Sequence, residues 1–275
     1  MFVKAIEETI KFTRPLLTGR MIYQTKEILN DINTLIVLNN QGDILTCAHI
    51  SDLFQMADDI NNVFMPILEE LKDKSTKEIK KIETKYAIKE NDIALIHNIL
   101  VDIVDNPGRL NIIKHPVLDI AIIRLENNKN IFVKDFPVFR TSNPLIGEHL
   151  CKLGFTFPEY STFYYDDQEN KIKMHNEFMH FPLFPLDGIL TRNIVDQNNE
   201  VTMFEISTPC LPGQAGGPIF DQDGYICGLM IGTKRITSYY QQDMPFNFDL
   251  GIAINNETIM SFLDQNKIEY NKKDK

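Results

Sequence analysis

The sequence predicts an all-β protein of barrel type framed by helices, and three observations lead there. Most apolar residues fall in short runs of strand length, separated by turns rich in Gly, Asn and Asp. Helical periodicity is confined to the N-terminus, one internal insertion and a stretch near the C-terminus. No repeat of solenoid or propeller length interrupts the pattern. With 275 residues, 43% of them hydrophobic, the chain can bury one large core or two modest ones.

Taken in order, residues 1–12 read as a short helix. The stretch TLIVLNNQGDILTCA is two apolar runs joined by Asn39-Asn40-Gln41-Gly42, a hairpin pattern. Residues 51–90 read as a helical insertion: Ser51 is placed to cap, Asp52 sits in the first turn, and Leu53, Met56, Ile60, Val63, Ile67 and Leu71 recur at helical spacing. Pro66 is expected to kink or end that helix. The lysine-rich run from Lys72 to Lys89, interspersed with Asp73, Glu78 and Glu83, reads as a solvated helix face. DIAIIRL at 119–125 is an apolar strand, and PIFDQDGYICGLMIG repeats the hairpin design around Asp221-Gln222-Asp223-Gly224. GIAI at 251–254 precedes NNETIMSFLDQ, where Asn256 is placed to cap a final helix carrying Ile259, Phe262 and Leu263 on one side.

Composition narrows the function classes. Lys plus Arg number 28 against 38 Asp plus Glu, a net charge of −10, which argues against nucleic acid or an anionic membrane as the main partner. Glu7, Glu8, Lys11 and Arg14 interrupt any apolar N-terminal stretch, so neither a secretory leader nor a spanning helix is expected. Cys47, Cys151, Cys210 and Cys227 form no CxxC pair and are expected to be free thiols in a cytoplasmic protein, with no metal site.

Three segments could carry chemistry: ILTCAHI with His49, HPVLDIAIIRLE with Asp119, and PGQAGGPIFDQDGYICGL centred on Ala215. Each alone is weak, because a histidine after a strand is usually just packed or exposed and a Gly-rich turn serves wherever φ is positive. Together, in this order, they resemble the trypsin/chymotrypsin superfamily of serine proteases, in particular the bacterial trypsin-like branch with the HtrA-type enzymes. The quoted motifs are Thr46-Cys47-Ala48-His49, Asp119-Ile120-Ala121 and Gly213-Gln214-Ala215-Gly216-Gly217-Pro218, and the match spans about residues 30–265. Only the serine is missing.

The resemblance implies two antiparallel six-stranded β-barrels. Residues 1–135 would hold the first, with the helical insertion at about 51–90; residues 136–275 would hold the second plus the terminal helix. It implies His49 as general base, Asp119 as the carboxylate that orients it, and position 215 as the place of the nucleophile. Gly213 and residue 215 would supply the two backbone N–H groups of the oxyanion hole. Ser207, Thr208, Pro209, Cys210, Leu211, Ile231, Gly232 and Thr233 would wall the specificity pocket. No aspartate lies in 207–211, so a liking for Arg or Lys is not supported, and a small or medium apolar residue before the scissile bond is expected.

The expected activity is serine endopeptidase cleavage of a protein substrate through an acyl-enzyme, with no cofactor, and with turnover abolished because Ala215 lacks a hydroxyl. The alternative is a natural pseudoprotease that binds peptides without cutting. Retention of His49, Asp119 and the whole Gly-Gly-Pro turn favours a deliberate Ser-to-Ala change. The insertion begins beside His49, which suggests contact with a regulatory protein or a part in substrate choice. Gln214 replaces the aspartate that zymogen-type enzymes use, so activation by an N-terminal ion pair is not expected.

Overall fold

The structure, a computed structural model, describes residues 2–126, 130–156, 162–175, 181–239 and 245–274. Helix α1 (Val3–Thr9) precedes strands β1 (Thr13–Ile22), β2 (Ile28–Val37) and β3 (Asp43–Thr46). Helices α2 (Ala48–Leu71) and α3 (Thr76–Tyr86) come next, followed by β4 (Ile93–Leu100), β5 (Leu110–Lys114) and β6 (Ala121–Leu125). The second half carries β7 (Val138–Arg140), β8 (His149–Phe155), β9 (Phe163–Asp166), β10 (Lys171–Met174), β11 (Leu183–Val195) and β12 (Val201–Ile206). It ends with β13 (Pro218–Phe220), β14 (Ile226–Tyr239), β15 (Pro245–Asn255), α4 (Asn256–Gln265) and β16 (Asn271–Lys273).

The predicted fold is the observed one, with a difference in closure between the halves. In the second half the order β8-β11-β12-β15-β14-β13 returns to β8, because β13 pairs with both β14 and β8, so six antiparallel strands form a closed ring. In the first half the order is β4-β1-β2-β3-β6-β5, and the two end strands do not pair, leaving a half-barrel. The open edge of β4 is occupied by α2 instead. The Asn61 amide accepts from Ile96 N (2.9 Å) and donates to Ile96 O (2.8 Å), imitating a neighbouring strand, while Asn98 Nδ2 donates to Leu53 O (2.9 Å). Exposed strand edges are otherwise open to unwanted pairing.

Three buried clusters hold the halves, one of them with Leu17, Met21 and Leu95 on β1 and β4. Leu150, Leu190, Phe204, Ile206, Ile219, Met230 and Ala253 fill the ring. Cys151 and Leu153, which alternate with Leu150 along β8, pack outward with Leu35, Ile36, Ile122 and Phe220 into the core shared by both halves. Each such side chain contributes roughly 1.5–3 kcal/mol by leaving water. The termini cross over: Phe2 packs edge-on against Phe220, with ring centres 6.1 Å apart, and Asn39 Nδ2 donates to Glu269 O (2.9 Å).

Both predicted hairpins form, and by the same local chemistry. Asn39 Oδ1 accepts from Gln41 N (3.0 Å) and Asp43 N (3.2 Å), while Asp221 Oδ1 accepts from Asp223 N (2.9 Å) and Tyr225 N (3.1 Å). Gly42 and Gly224 complete the turns at φ +86° and +85°.

Four helix readings are corrected. The insertion is two helices, and the first begins at Ala48 rather than at Ser51, which instead donates its hydroxyl to Ala48 O (2.7 Å) within the helix. Helix α2 runs past Pro66 to Leu71, which excludes an end there, one of the two outcomes expected of that proline. Met56 and Val63 of the expected apolar stripe are exposed, because Ile50, Ala57, Ile67 and Leu68 form the buried face. The cap of α4 is Asn255, whose side chain accepts from Thr258 N (2.8 Å); Asn256 is buried and donates to Ser142 O (2.9 Å).

Candidate active site

His49 stands in the first turn of α2, directly after β3, and Asp119 stands just before β6, the strand paired to β3. The carboxylate reaches across that pair and is used twice. His49 Nδ1 donates to Asp119 Oδ2 at 2.6 Å, and His49 N donates to Asp119 Oδ1 at 2.9 Å. The N-cap residue Cys47 has no side-chain cap bond, so Asp119 supplies from another strand the acceptor that a local cap would have given. That explains why the helix starts before Ser51. The same arrangement fixes the imidazole with Nδ1 towards the carboxylate, leaving Nε2 for chemistry.

The bond to Asp119, outweighing partial burial, raises the His49 pKa above its ordinary value. Burial alone would raise that of Asp119, but the bonds from the His49 ring and His49 N, with the Ala48 N–H adding a smaller pull, overcome it, and the net direction is downward.

The second component is the turn from Gly213 to Pro218, clamped between β2, β8 and β14. Thr34 Oγ1 donates to Gly213 O (2.6 Å), Thr34 N donates to Ala215 O (3.2 Å), and Gly216 N donates to Met230 O (2.8 Å). Gly213 and Gly216 have φ of +94° and +81°, and a methyl on either would collide with Phe155 O or Thr34 O respectively. Among the described residues the N–H groups of Gly213 and Ala215 donate to nothing, as an oxyanion site requires. Gln214 is fully buried and braces the turn, donating to Phe184 O (3.0 Å) and accepting from Leu211 N (3.0 Å). A neutral amide thus does the bracing that an aspartate would need a cation to do.

His49, Gly213 and Ala215 line one open cavity of about 600 Å³ between the halves, together with Cys210, Leu211 and Thr233. Of the expected pocket residues, these last three reach the cavity. Ser207 and Thr208 turn inward instead: Ser207 Oγ accepts from Ile189 N (3.0 Å), and Thr208 O accepts from Gly251 N (3.0 Å) and Lys152 Nζ (2.7 Å). Pro209, Ile231 and Gly232 lie on the adjoining backbone, and a side chain at Gly232 would meet open space. Sequence reasoning missed residues 30–33 of β2, Leu53 and Pro212 in the cavity lining, and Lys152, which is buried behind it and bonded to Thr208. A lone lysine in the apolar run HLCKLGF was the available signal for the last.

Cys47, His49 and Asp119 bring three metal-binding atom types within 4.8 Å of one another. The set suits the dyad better than an ion: Cys47 is fully buried, burial drives its thiol pKa far up, and Nδ1 of His49 is already committed. All four cysteines are free of disulfides.

The model for the trypsin-like peptidase domain matches residues 33–229. No curated protein matches the chain. Among solved structures the chain is similar to the active form of the Rv3671c protease from M. tuberculosis, at 12% identity and TM-score 0.50, over 97% of this chain and 86% of that one. It is also similar to the HtrA-type protease AlgW with a decapeptide, at 13% identity and TM-score 0.48, over 98% of this chain and 68% of that one. At such identities the likeness is one of fold.

Proposed function

The chain belongs to the trypsin-like peptidase domain family, and on that premise we propose that its cleft binds an extended protein segment and, with serine at 215, hydrolyses a peptide bond in it through an acyl-enzyme. One observation carries the reading: a His49 ring bonded to Asp119 at 2.6 Å opens onto the same cleft as the Gly213–Ala215 turn. His49 would take the proton from the hydroxyl at 215 and return it to the leaving amine, while Asp119 stabilises the imidazolium formed between those steps. The N–H groups of Gly213 and residue 215 would bind the carbonyl oxygen as it becomes negative. The edge of β14 beyond Met230 has no strand partner opposite β15 among the described residues, which supports pairing of the substrate backbone there.

With Ala215 the first bond-forming atom is missing, so this polypeptide holds a substrate without cutting it. Loss of that atom costs on the order of 10⁶ in turnover in a convergent serine protease. A second reading, a peptide-binding module that never cuts, draws on Ala215 itself. Ala215→Ser separates the two: covalent labelling by a fluorophosphonate and cleavage of a casein-type substrate are expected, and a well-folded revertant that takes no label would favour the binding module.

A further inference from the structure

Five charged residues are buried among the described residues: Asp43, Arg140, Lys152, Glu205 and Asp221. Four have an opposite charge. Asp43 meets Arg124 at 2.7 Å, Arg140 meets Glu148 and, at 3.8 Å, Asp221, and Glu205 meets Lys234 at 3.0 Å as well as Arg192. Lys152 has none among the described residues, where its Nζ donates only to the carbonyl (2.7 Å) and the hydroxyl (2.8 Å) of Thr208. Its side chain is 0% exposed and lies on the ring-interior face of β8, shared with Leu150. An ammonium held in an apolar interior without a counterion is costly, and two neutral acceptors use only two of its three protons.

The position of that unpaired charge gives it a use. Thr208 belongs to the segment that continues into Cys210 and Leu211, which line the cleft with His49, Gly213 and Ala215. The Thr233 hydroxyl ties Cys210 to β14, accepting from its N (2.8 Å) and donating to its O (2.8 Å). Lys152 therefore lies behind the lining of the cleft, bonded to Thr208 two residues before the first lining residue of that segment, so a substrate side chain that parts this segment would meet its ammonium. Burial pushes its pKa down to about 8, which leaves it largely protonated at neutral pH.

We propose that Lys152 is a specificity-determining residue that selects substrates with Glu or Asp immediately before the scissile bond, the substrate carboxylate supplying the missing counterion. This replaces the apolar preference expected from residues 207–211 alone. It rests on the proposed peptidase reading, because it needs the cleft to take the substrate in that orientation.

The test uses the protein as it stands. Binding of fluorescent product-like peptides that differ only in a C-terminal Glu, Gln, Leu or Lys is measured by polarisation on the Ala215 form, and kcat/KM for the corresponding cleavable peptides on the Ala215→Ser form. Glu is expected to exceed its neutral isostere Gln by roughly 100-fold, in keeping with the cost of leaving one partner of a buried charge pair alone. Lys152→Met should level the two. Should Lys152→Met not fold, the Glu/Gln ratio on the unaltered protein decides alone. An Ala215→Ser form that labels and cuts after apolar or basic residues without favouring acids overturns the inference and leaves the peptidase reading standing. An inert Ala215→Ser form whose Ala215 parent still prefers Glu does the reverse. No preference in either assay overturns the inference.

Discussion

The half-barrel and the closed ring divide the site between them in different ways. The half-barrel contributes His49 and Asp119 from two adjacent strand ends, and its open edge is covered by the helix on which His49 stands. The ring contributes backbone: a turn pinned by β2, β8 and β14, with glycines where no side chain fits. Side-chain chemistry thus sits on the half that tolerated a 24-residue helix at its edge, and geometric precision sits on the half whose strands close on themselves. The lesson is that a base needs one good partner, whereas an oxyanion hole needs a fixed backbone.

The largest expected effect tests the half-barrel side. In the Ala215→Ser background, Asp119→Asn should lower kcat/KM by about 10⁴, judged from the cost of that change in a related triad, with the Gly213–Pro218 turn intact. A drop of less than tenfold would mean that Asp119 serves mainly as the helix cap.

Next comes the rigidity of the ring side. Gly216→Ala should cost about 3 kcal/mol or more in denaturant unfolding, because φ is +81° and the methyl meets Thr34 O. Gly232→Ala, where nothing lies within 4 Å of an added methyl, should stay within about 0.5 kcal/mol. Equal effects would break the contrast between a clamped turn and the open backbone beside the cleft.

A smaller effect addresses the edge cover. Asn61→Ala leaves the N–H and C=O of Ile96 without their partner and should destabilise by about 1–3 kcal/mol. Hydrogen exchange should quicken at Ile96 and its β4 neighbours before it does in the ring.

The smallest is a pH tilt. Because His49 is raised above 6.5 by Asp119, the base is fully available only above that raised value, so kcat/KM of the Ala215→Ser form should climb through it. Stability runs the other way: the contribution of His49 is complete below 6.5 and is lost as pH rises through the folded value. The contribution of Asp119, whose pKa is lowered, is present above 3.8 and fades as pH falls through its folded value. Titration of His49 by NMR, with and without Asp119→Asn, checks both signs; an unchanged midpoint would contradict the coupling.

Local signals read well where local chemistry decides. The two Asx-bearing hairpins, strand β6 and the closing helix were legible because their turn residues and periodicity act within a few positions. Strand β1 was not, since Pro15 and Gly19 argue against an inner strand. Pro15 fits because its carbonyl, and with it the side on which an N–H would point, faces beyond the last β4 pair at Leu16 and Leu100. Gly19 leaves room for the Phe163 ring, a neighbour far along the chain.

By itself the sequence determined the β class, the order of the His49, Asp119 and Ala215 segments, and the absence of a hydroxyl at 215, because each is carried by residue identity and short spacing. The tertiary structure alone decided that Asp119 caps α2 while holding His49, that one barrel closes and the other is plugged by Asn61, and that Lys152 is buried behind the cleft with no counterion among the described residues. Those facts depend on which distant strand or helix lies opposite, and no window along the chain contains both partners of such a contact.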